Sequence, residues 1–358
     1  MSAHKILSLL RLQAVFCECK PGRMLEGMAK TGELALIELL RKRAGKATGA
    51  VRLGIGDDCA ILAPKAGQDV VVTTDFSLEG RHFRRDWHSM ESVGHRILAR
   101  GLSDLAAMGS RPMAAFLSLA LPREFAKNHG AVCGLLDGVF ALSMDASASL
   151  AGGDTSESPS DHILADIVLL GTVPRGKALR RSGARAGDIL YCTGSLGGAA
   201  VELEALSKAP KKFRGAMAGE DHPHLFPIPR LKAGQALLKR GLATACMDIS
   251  DGISTDLAHL CEASGVCAEI EPARLPLHPL ARRLRVEEGL RAALHGGEDY
   301  ELLFTAKAAT KMPRSLDGVP VTRIGRIIAK RKGRPQVMLV NPEGERTELK
   351  PQGWEHLR

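Results

Sequence analysis

Six short segments of this chain share one grammar: an apolar run meets glycine or a hydroxyl residue, and an aspartate is presented at the junction. They are Gly54-Ile55-Gly56-Asp57-Asp58, Thr73-Thr74-Asp75, Leu102-Ser103-Asp104, Gly152-Gly153-Asp154-Thr155, Asp248-Ile249-Ser250-Asp251-Gly252 and Gly296-Gly297-Glu298-Asp299-Tyr300. One such aspartate alone is ordinarily a turn or cap residue, since Asp accepts from helix-start N–H groups and glycine supplies positive φ. Together they offer many carboxylates on backbones that a ligand can approach closely. Like charges gathered in one place repel unless a cation sits among them. The pattern favours hard, oxygen-preferring ions. Mg2+ fits because it takes one or two carboxylates and completes its octahedron with water and phosphate oxygens. Such ions would neutralise the phosphates of a nucleotide.

Other nucleotide and nucleophile signatures fail. Gly171-Thr172-Val173-Pro174-Arg175-Gly176-Lys177 has Walker A spacing, but Ala178 stands where Ser or Thr should bind Mg2+, and Pro174 removes a cradle N–H. Gly54 and Gly56 begin a dinucleotide fingerprint in which Cys59 takes the third glycine's place. The VAIK, HRD and DFG segments of protein kinases and the GxSxG elbow of hydrolases are absent. His95 and His259 read as ordinary helix residues. His82 stands apart because it follows the Thr74–Arg81 run beside the candidate metal site.

These groups need elements to hold them. Apolar residues recur at helical spacing over 32–43, 92–108, 124–144, 199–206, 231–240 and 255–263. Strands are expected over 51–55, 69–74, 114–121, 147–151, 163–173, 189–192 and 245–249, the first two delivering polar groups at their ends. The Gly152–Thr155 segment reads as the turn after a strand, and the polar, basic stretch from 207 to about 229 as a flexible insertion. Helices and strands interleave in both halves, so the class is α/β or α+β. At 358 residues the chain exceeds one ordinary core, and a first domain is expected to end at the strand that Pro174 closes.

A composition of 45% hydrophobic and 25% charged residues is that of a soluble globular protein. The net charge of +9 comes from short scattered runs such as Arg41–Arg43, Lys211–Arg214 and Lys330–Arg334. With two Trp, two Tyr and nine Phe there are few stacking platforms, so no nucleic-acid partner is expected, whereas an anionic small molecule suits the charge. Eight cysteines without a CxxC pair suggest neither a zinc cage nor a redox dithiol and fit a reducing cytoplasm. The apolar stretch 6–17 is broken by Arg11, lacks a cleavage site and is too short to span a membrane.

Taken in order from Gly32 to Trp354, GIGDDCAIL, TTDFSLEGRHF, LSDLAAMG, GGDT, LRRSGARAGD, DISDGISTDL and GGEDYEL resemble the thiamine-monophosphate kinases. That family belongs to the PurM-like superfamily, with aminoimidazole-ribonucleotide synthetase, selenophosphate synthetase and a hydrogenase-maturation protein. The resemblance implies a two-domain α/β (α+β) architecture: an N-terminal domain over 32–175, whose mixed sheet pairs in a homodimer, and a C-terminal α/β domain over 176–358. Residues 1–31 read as an extension, either disordered or preceding a true start at Met24 or Met28. The implied activity is direct transfer of the γ-phosphoryl group of ATP to thiamine monophosphate, the final step of thiamine diphosphate biosynthesis, with several Mg2+ ions and no protein nucleophile.

Carried over motif by motif, Asp58, Thr73, Thr74, Asp75, Asp104, Asp154, Asp248 and Asp251 would hold Mg2+, with Asp75 and Asp154 acting on the reaction through it. Gly153, Asp154, Arg181 and Ser250 would contact ATP, and His82, Glu298 and Trp354 the thiamine phosphate. Phe76 departs from the family's usual residue. The alternatives are another ATP-using enzyme of the superfamily and a non-catalytic nucleotide-binding protein. The reactive Cys and Lys of selenophosphate synthetases do not precede GIGDD here, and the functional terminal cysteine of the hydrogenase-maturation proteins is replaced by Trp354–Arg358. The intact aspartates weigh against the non-catalytic reading.

Overall fold

Period-two alternation of apolar and polar residues is clearest in three runs of the first half. Each becomes an eleven-residue strand in the computed structural model, which describes residues 33–46, 48–56, 59–333 and 335–353. Helix α1 (Glu33–Ala44) leads into a small antiparallel pair, β1 (Val51–Leu53) and β2 (Ile61–Leu62). Then come β3 (Gln68–Leu78), α2 (Met90–Ala107), β4 (Arg111–Leu121), α3 (Arg123–Lys127), α4 (His129–Ala146), β5 (Ser149–Glu157) and β6 (Leu164–Pro174). The sheet order is β3-β6-β4-β5, with β4 and β5 parallel and the other pairs antiparallel. One face, through Leu117, Leu119, Ile167 and Leu169, packs on Ile97 and Leu98 of α2 and Leu136 of α4. Each such side chain, fully buried, contributes about 1.5–3 kcal/mol.

The helical pair on this sheet is unusually close. A Cβ on Gly94 of α2 would stand 1.8 Å from the Leu135 carbonyl oxygen, and one on Gly138 of α4 would stand 1.9 Å from that of Glu91. The two backbones therefore touch. On its other side α2 meets the second half of the chain, where a Cβ on Gly234 would lie 1.9 Å from the Ala106 carbonyl oxygen. Ser89 caps the start of α2 by accepting from Ser92 N.

The second half contains β7 (Ile189–Thr193), α5 (Gly198–Lys208), α6 (Leu231–Arg240), β8 (Ala245–Asp248), α7 (Ile253–Ser264) and β9 (Val266–Ile270). It continues with α8 (Pro279–Arg282), α9 (Val286–His295), β10 (Leu302–Ala306), β11 (Ser315–Leu316), β12 (Val319–Ala329), β13 (Val337–Val340) and β14 (Arg346–Glu348). Its mixed sheet runs β14-β13-β9-β12-β7-β10-β8, with β11 paired to β12. Strands β8, β9 and β10 are buried along their whole length, as their near-continuous apolar sequence requires. Both halves are thus mixed α/β. Among the described residues no helix is long and apolar enough to cross a membrane.

Three sequence expectations change. The helix expected over 124–144 breaks at Asn128, which leaves helical geometry and caps α4 by accepting from Ala131 N. The Gly152–Thr155 segment is strand interior rather than a turn; a Cβ on Gly153 would meet the Leu117 carbonyl oxygen at 1.8 Å, so its glycine serves close strand approach. The presumed flexible insertion ends pinned to the fold: His224, Leu225 and Phe226 are buried, and Glu202 accepts from the backbone N–H groups of His224 and Leu225 at 2.7 and 3.3 Å.

An alanine inside a helix ordinarily gains about 1 kcal/mol over glycine. At Gly94 and Gly138 the sign should reverse, each Ala variant losing about 2 kcal/mol or more in urea unfolding through overpacking. Equal or greater stability in both variants would show that the helices are free to separate.

Candidate functional site

Helix geometry puts residues four apart on one face, and α2 presents Arg96, Arg100 and Asp104 there. Arg100 and Asp104 line a cavity of about 770 Å3 between the two halves, with Arg96 buried beside it; Asp75 and His82 of the first half also line it, as do His224, Asp248, Ser250, Asp251 and Glu298 of the second. Two turns distant in sequence build the second wall as one unit. Glu298 N donates to the Ser250 carbonyl at 2.8 Å and Tyr300 N to that of Ile249 at 2.9 Å. Gly297 permits this approach, since a Cβ there would stand 2.6 Å from the Ser250 carbonyl oxygen.

Buried carboxylates shape these turns. Asp256 accepts from Ser250 N and Asp251 N, each at 3.1 Å, and burial, reinforced by the charges of Asp248 and Asp251, raises its pKa well above the usual range. Asp299 caps α5 through Gly197 N at 2.6 Å and Ala199 N at 3.2 Å, and burial pushes it up to about 7. On either side of it, Glu298 and Tyr300 are held at φ of 68° and 49°. Non-glycine residues adopt that left-handed region at a cost of about 1–3 kcal/mol, and only where the surroundings enforce it.

The acidic wall joins both halves. Thr73 donates to Asp104 Oδ2 at 2.5 Å, and Ser103 donates to Asp248 Oδ2 at 2.7 Å. Burial raises the pKa of Asp104, and the charge of Asp75 adds to it; burial likewise raises that of Asp248, with Asp104 adding to it. Arg181, exposed and outside the cavity lining, opposes both shifts by its charge.

The basic wall lies beside it. Arg100 donates to Asp75 Oδ1 from Nη2 at 2.7 Å. Arg96 Nη2 donates to Glu298 Oε1 at 2.6 Å and to the His82 carbonyl at 3.0 Å. His224 Nδ1 lies 3.0 Å from Glu298 Oε2, and its Nε2 lies 3.1 Å from His88 Nε2. Burial would raise the pKa of Glu298, but Arg96, His224 and Arg100 overcome it and hold the carboxyl well below its usual range. Burial and the charge of Arg96 lower His224, and take His88 down to about 3.

The structure gathers Asp75, Asp104, Asp248, Asp251, Ser250, His82 and Glu298 around the cavity, with Thr73 behind Asp104. It does not gather Thr74, Gly153 or Asp154. Paired positions run Asp75, Ile167, Leu117, Gly153 across the sheet, which puts Gly153 three strands from Asp75, about 14 Å at the usual spacing. Asp154 falls one residue further along, in register with Ser118, Asp166 and Phe76, on the face turned away from α2. Thr74 points to that outer face too and donates to Asp166 at 2.8 Å. A strand alternates faces at each residue, so neighbours in a motif cannot share one side through their side chains, and within one chain Thr74 and Asp154 do not line the cavity that Asp75 lines. Asp58 and Trp354 lie outside the described residues. Arg96, Arg100, His224 and Asp256 were missed. The four-residue spacing of Arg96, Arg100 and Asp104 could have exposed the first two, whereas nothing local marks His224.

Among the described residues, no group of three or more His, Cys, Asp or Glu side chains is preassembled for a metal ion. The donor chemistry nonetheless fits Mg2+, which needs only one or two carboxylates besides phosphate and water oxygens. Asp248 is buried and Asp104 half-buried; they face one cavity, and the charge of Asp104 raises the cost of charging Asp248 as that of Asp75 does for Asp104, which a nearby cation would relieve.

Comparison with known proteins gives a consistent picture. Residues 56–173 match the model for the AIR synthase related protein N-terminal domain, and residues 185–338 match that for its C-terminal domain. The chain is 37% identical over 335 residues to the thiamine-monophosphate kinase of Escherichia coli (strain K12), covering 91% of this chain and 98% of that protein. Its fold is similar to the crystal structure of thiamine-monophosphate kinase from Stenotrophomonas maltophilia K279a, with TM-score 0.74, 35% identity, and coverage of 88% of this chain and 98% of that one. It is also similar to AaThiL complexed with AMPPCP and TMP, with TM-score 0.69, 29% identity and coverage of 91% and 97%.

Glu298→Gln leaves two arginines without their shared counter-charge and should cost about 3 kcal/mol or more at neutral pH in urea unfolding. Because the folded carboxyl titrates below its ordinary 4.5, its contribution is complete above that value and is lost as pH falls through the lower folded value. The gap between wild type and variant should therefore close on acidification below about pH 4.5. A gap that stays constant there would contradict the pairing.

Proposed function

The chain belongs to the thiamine-monophosphate kinase family, and from that membership we propose that the cavity between its two halves is where the γ-phosphoryl group of ATP passes to thiamine monophosphate, giving thiamine diphosphate and ADP. The observation that carries this reading is the meeting of Asp104 and Asp248, one from each half, in a cavity whose adjoining wall is basic. A wall of facing carboxylates suits bridged phosphates, and a neighbouring guanidinium suits an acceptor that is itself a phosphate.

Asp75, Asp104, Asp248 and Asp251 would hold Mg2+ ions, and Asp58 is proposed with them on its motif. Bound there, Mg2+ supplies neutralisation of the phosphate charges that would otherwise repel one another. The chain's own residues do the positioning. Thr73 and Ser103 orient the carboxylates of Asp104 and Asp248 by donating to them. Arg181 on its motif and Ser250 in the turn are proposed to meet ATP, while His82 and Glu298, with Trp354 on its motif, are proposed to address the acceptor. The segment at His224–Phe226 closes the basic wall against water. A phosphate monoester is already largely dianionic at neutral pH, so its attacking oxygen needs no general base, and direct in-line transfer without a phospho-enzyme follows.

Further readings belong to the same proposal. The first domain ends near residue 175, and the protein works in the cytoplasm, consistent with its six free cysteines among the described residues. Neither nucleic acid nor membrane is a partner. The homodimer forms through the outer face of the first sheet, where Val70, Val72 and Phe76 are 42%, 62% and 63% exposed. Thr74, Asp154 and the adjacent Gly153 of β5 would then meet a second copy there.

Incubation with ATP, thiamine monophosphate and Mg2+ should yield thiamine diphosphate and ADP in equal amounts, resolved by ion-exchange chromatography. EDTA should abolish the product, and Asp104→Asn or Asp248→Asn should lower kcat by roughly a hundredfold or more while the fold is retained. ATP binding without any thiamine diphosphate in the wild type would overturn the kinase reading. Val72→Glu with Phe76→Glu should convert a dimer to monomer in sedimentation equilibrium; an unchanged dimer would place the interface elsewhere.

A further inference from the structure

Arg100 stands where the acidic and basic walls of the cavity meet, and the reading above leaves it without a task. Its side chain is 14% exposed and lines the cavity. Its Nε and Nη2 both donate to a single oxygen, Asp75 Oδ1, at 3.1 and 2.7 Å. Nη1 lies 3.8 Å from Glu298 Oε1, an ion-pair distance too long for a hydrogen bond. A guanidinium carries five N–H donors, and among the described residues the two bonded ones both serve Asp75. A guanidinium at full strength grips a carboxylate with two parallel bonds to two oxygens. Here the fork converges on one oxygen, a weaker hold that another partner can displace.

The neighbouring arginines are differently employed. Arg96 is spent on Glu298, the His82 carbonyl and the His224 carbonyl, which fixes it as part of the wall. Arg181 is exposed, does not line the cavity, and acts by its charge on Asp104 and Asp248. Arg100 therefore lies between the carboxylates suited to nucleotide phosphates and the residues proposed to meet the acceptor. An acceptor that is a phosphate dianion must come next to the phosphates of ATP, so a fixed positive charge at that junction offsets the worst repulsion in the site.

We propose that Arg100 binds the phosphate of the acceptor: Asp75 holds the guanidinium while the cavity is empty and yields it to the phosphate of thiamine monophosphate. This rests on the kinase reading. The exchange breaks no covalent bond; it trades a one-oxygen pairing for a fork on a phosphate with several acceptor oxygens. Asp75 then becomes free for a cation, so occupancy by the two substrates is coupled through one side chain.

The test is equilibrium binding by titration calorimetry, without ATP and with EDTA, of thiamine monophosphate and of unphosphorylated thiamine. Arg100→Met should weaken thiamine monophosphate roughly tenfold or more and leave thiamine unaffected. Asp75→Asn removes the holding partner and should tighten thiamine monophosphate severalfold, which a merely structural Arg100 to Asp75 pair would not do. If Arg100→Met fails to fold, Arg100→Lys keeps the charge without the fork and should show the same selective loss to a smaller degree. Unchanged binding of thiamine monophosphate in the Arg100 variants, equal weakening of thiamine, or no tightening in Asp75→Asn overturns the proposal. A wild type that binds thiamine monophosphate but forms no product overturns the kinase reading alone. A wild type that does not bind it overturns both.

Discussion

Backbone contact on two sides of α2 is the constraint on which the site depends. Gly94 and Gly138 bring α2 against α4 within its own half, and Gly234 of α6 brings the second half against its far end at Ala106. Close-packed interiors transmit such constraints with little give. Arg96, Arg100, Ser103 and Asp104 all ride on this helix, so their distances to Asp75, Asp248 and Glu298 are set by where the helix lies rather than by flexible loops. At the junction of the two halves, this rigid element carries charge into the gap.

The gap is expensive to maintain. Asp248 is buried and Asp104 half-buried, both with like charges as neighbours, and Glu298 and Tyr300 are held in left-handed conformations. Nothing about stability alone asks for these costs, because apolar residues of similar volume would often serve a core as well or better. They make sense where charge must be ready for a charged ligand before it arrives. The basic wall offsets part of the cost by pairing Asp75 and Glu298 with Arg100 and Arg96, while Asp104 and Asp248 receive hydroxyl hydrogen bonds from Thr73 and Ser103 rather than an ion pair.

Much of the fold was readable in the sequence because period and punctuation were strong. The helices at Met90–Ala107 and Leu231–Arg240 and the strand at Leu164–Pro174 lie where apolar spacing and Pro174 put them. The aspartates of three motifs, Asp75, Asp104 and the Asp248/Asp251 pair, line the cavity. Thr74 and Asp154 do not, because a motif is a string of neighbours whereas a strand sends neighbours to opposite faces. His224 was hidden for a different reason. It belongs to a polar segment whose composition suggests mobility, and only the tertiary partners Glu202, Arg96 and Glu298 order it.

Cation uptake tests most directly whether facing carboxylates from the two halves are the heart of the site. Mn2+ can replace Mg2+ and be followed by electron paramagnetic resonance during titration in the presence of a non-hydrolysable ATP analogue. The wild type should take up the ion, and a protein carrying both Asp104→Asn and Asp248→Asn should lose that uptake while remaining folded. Undiminished uptake by the folded double variant would contradict a site organised around those two side chains.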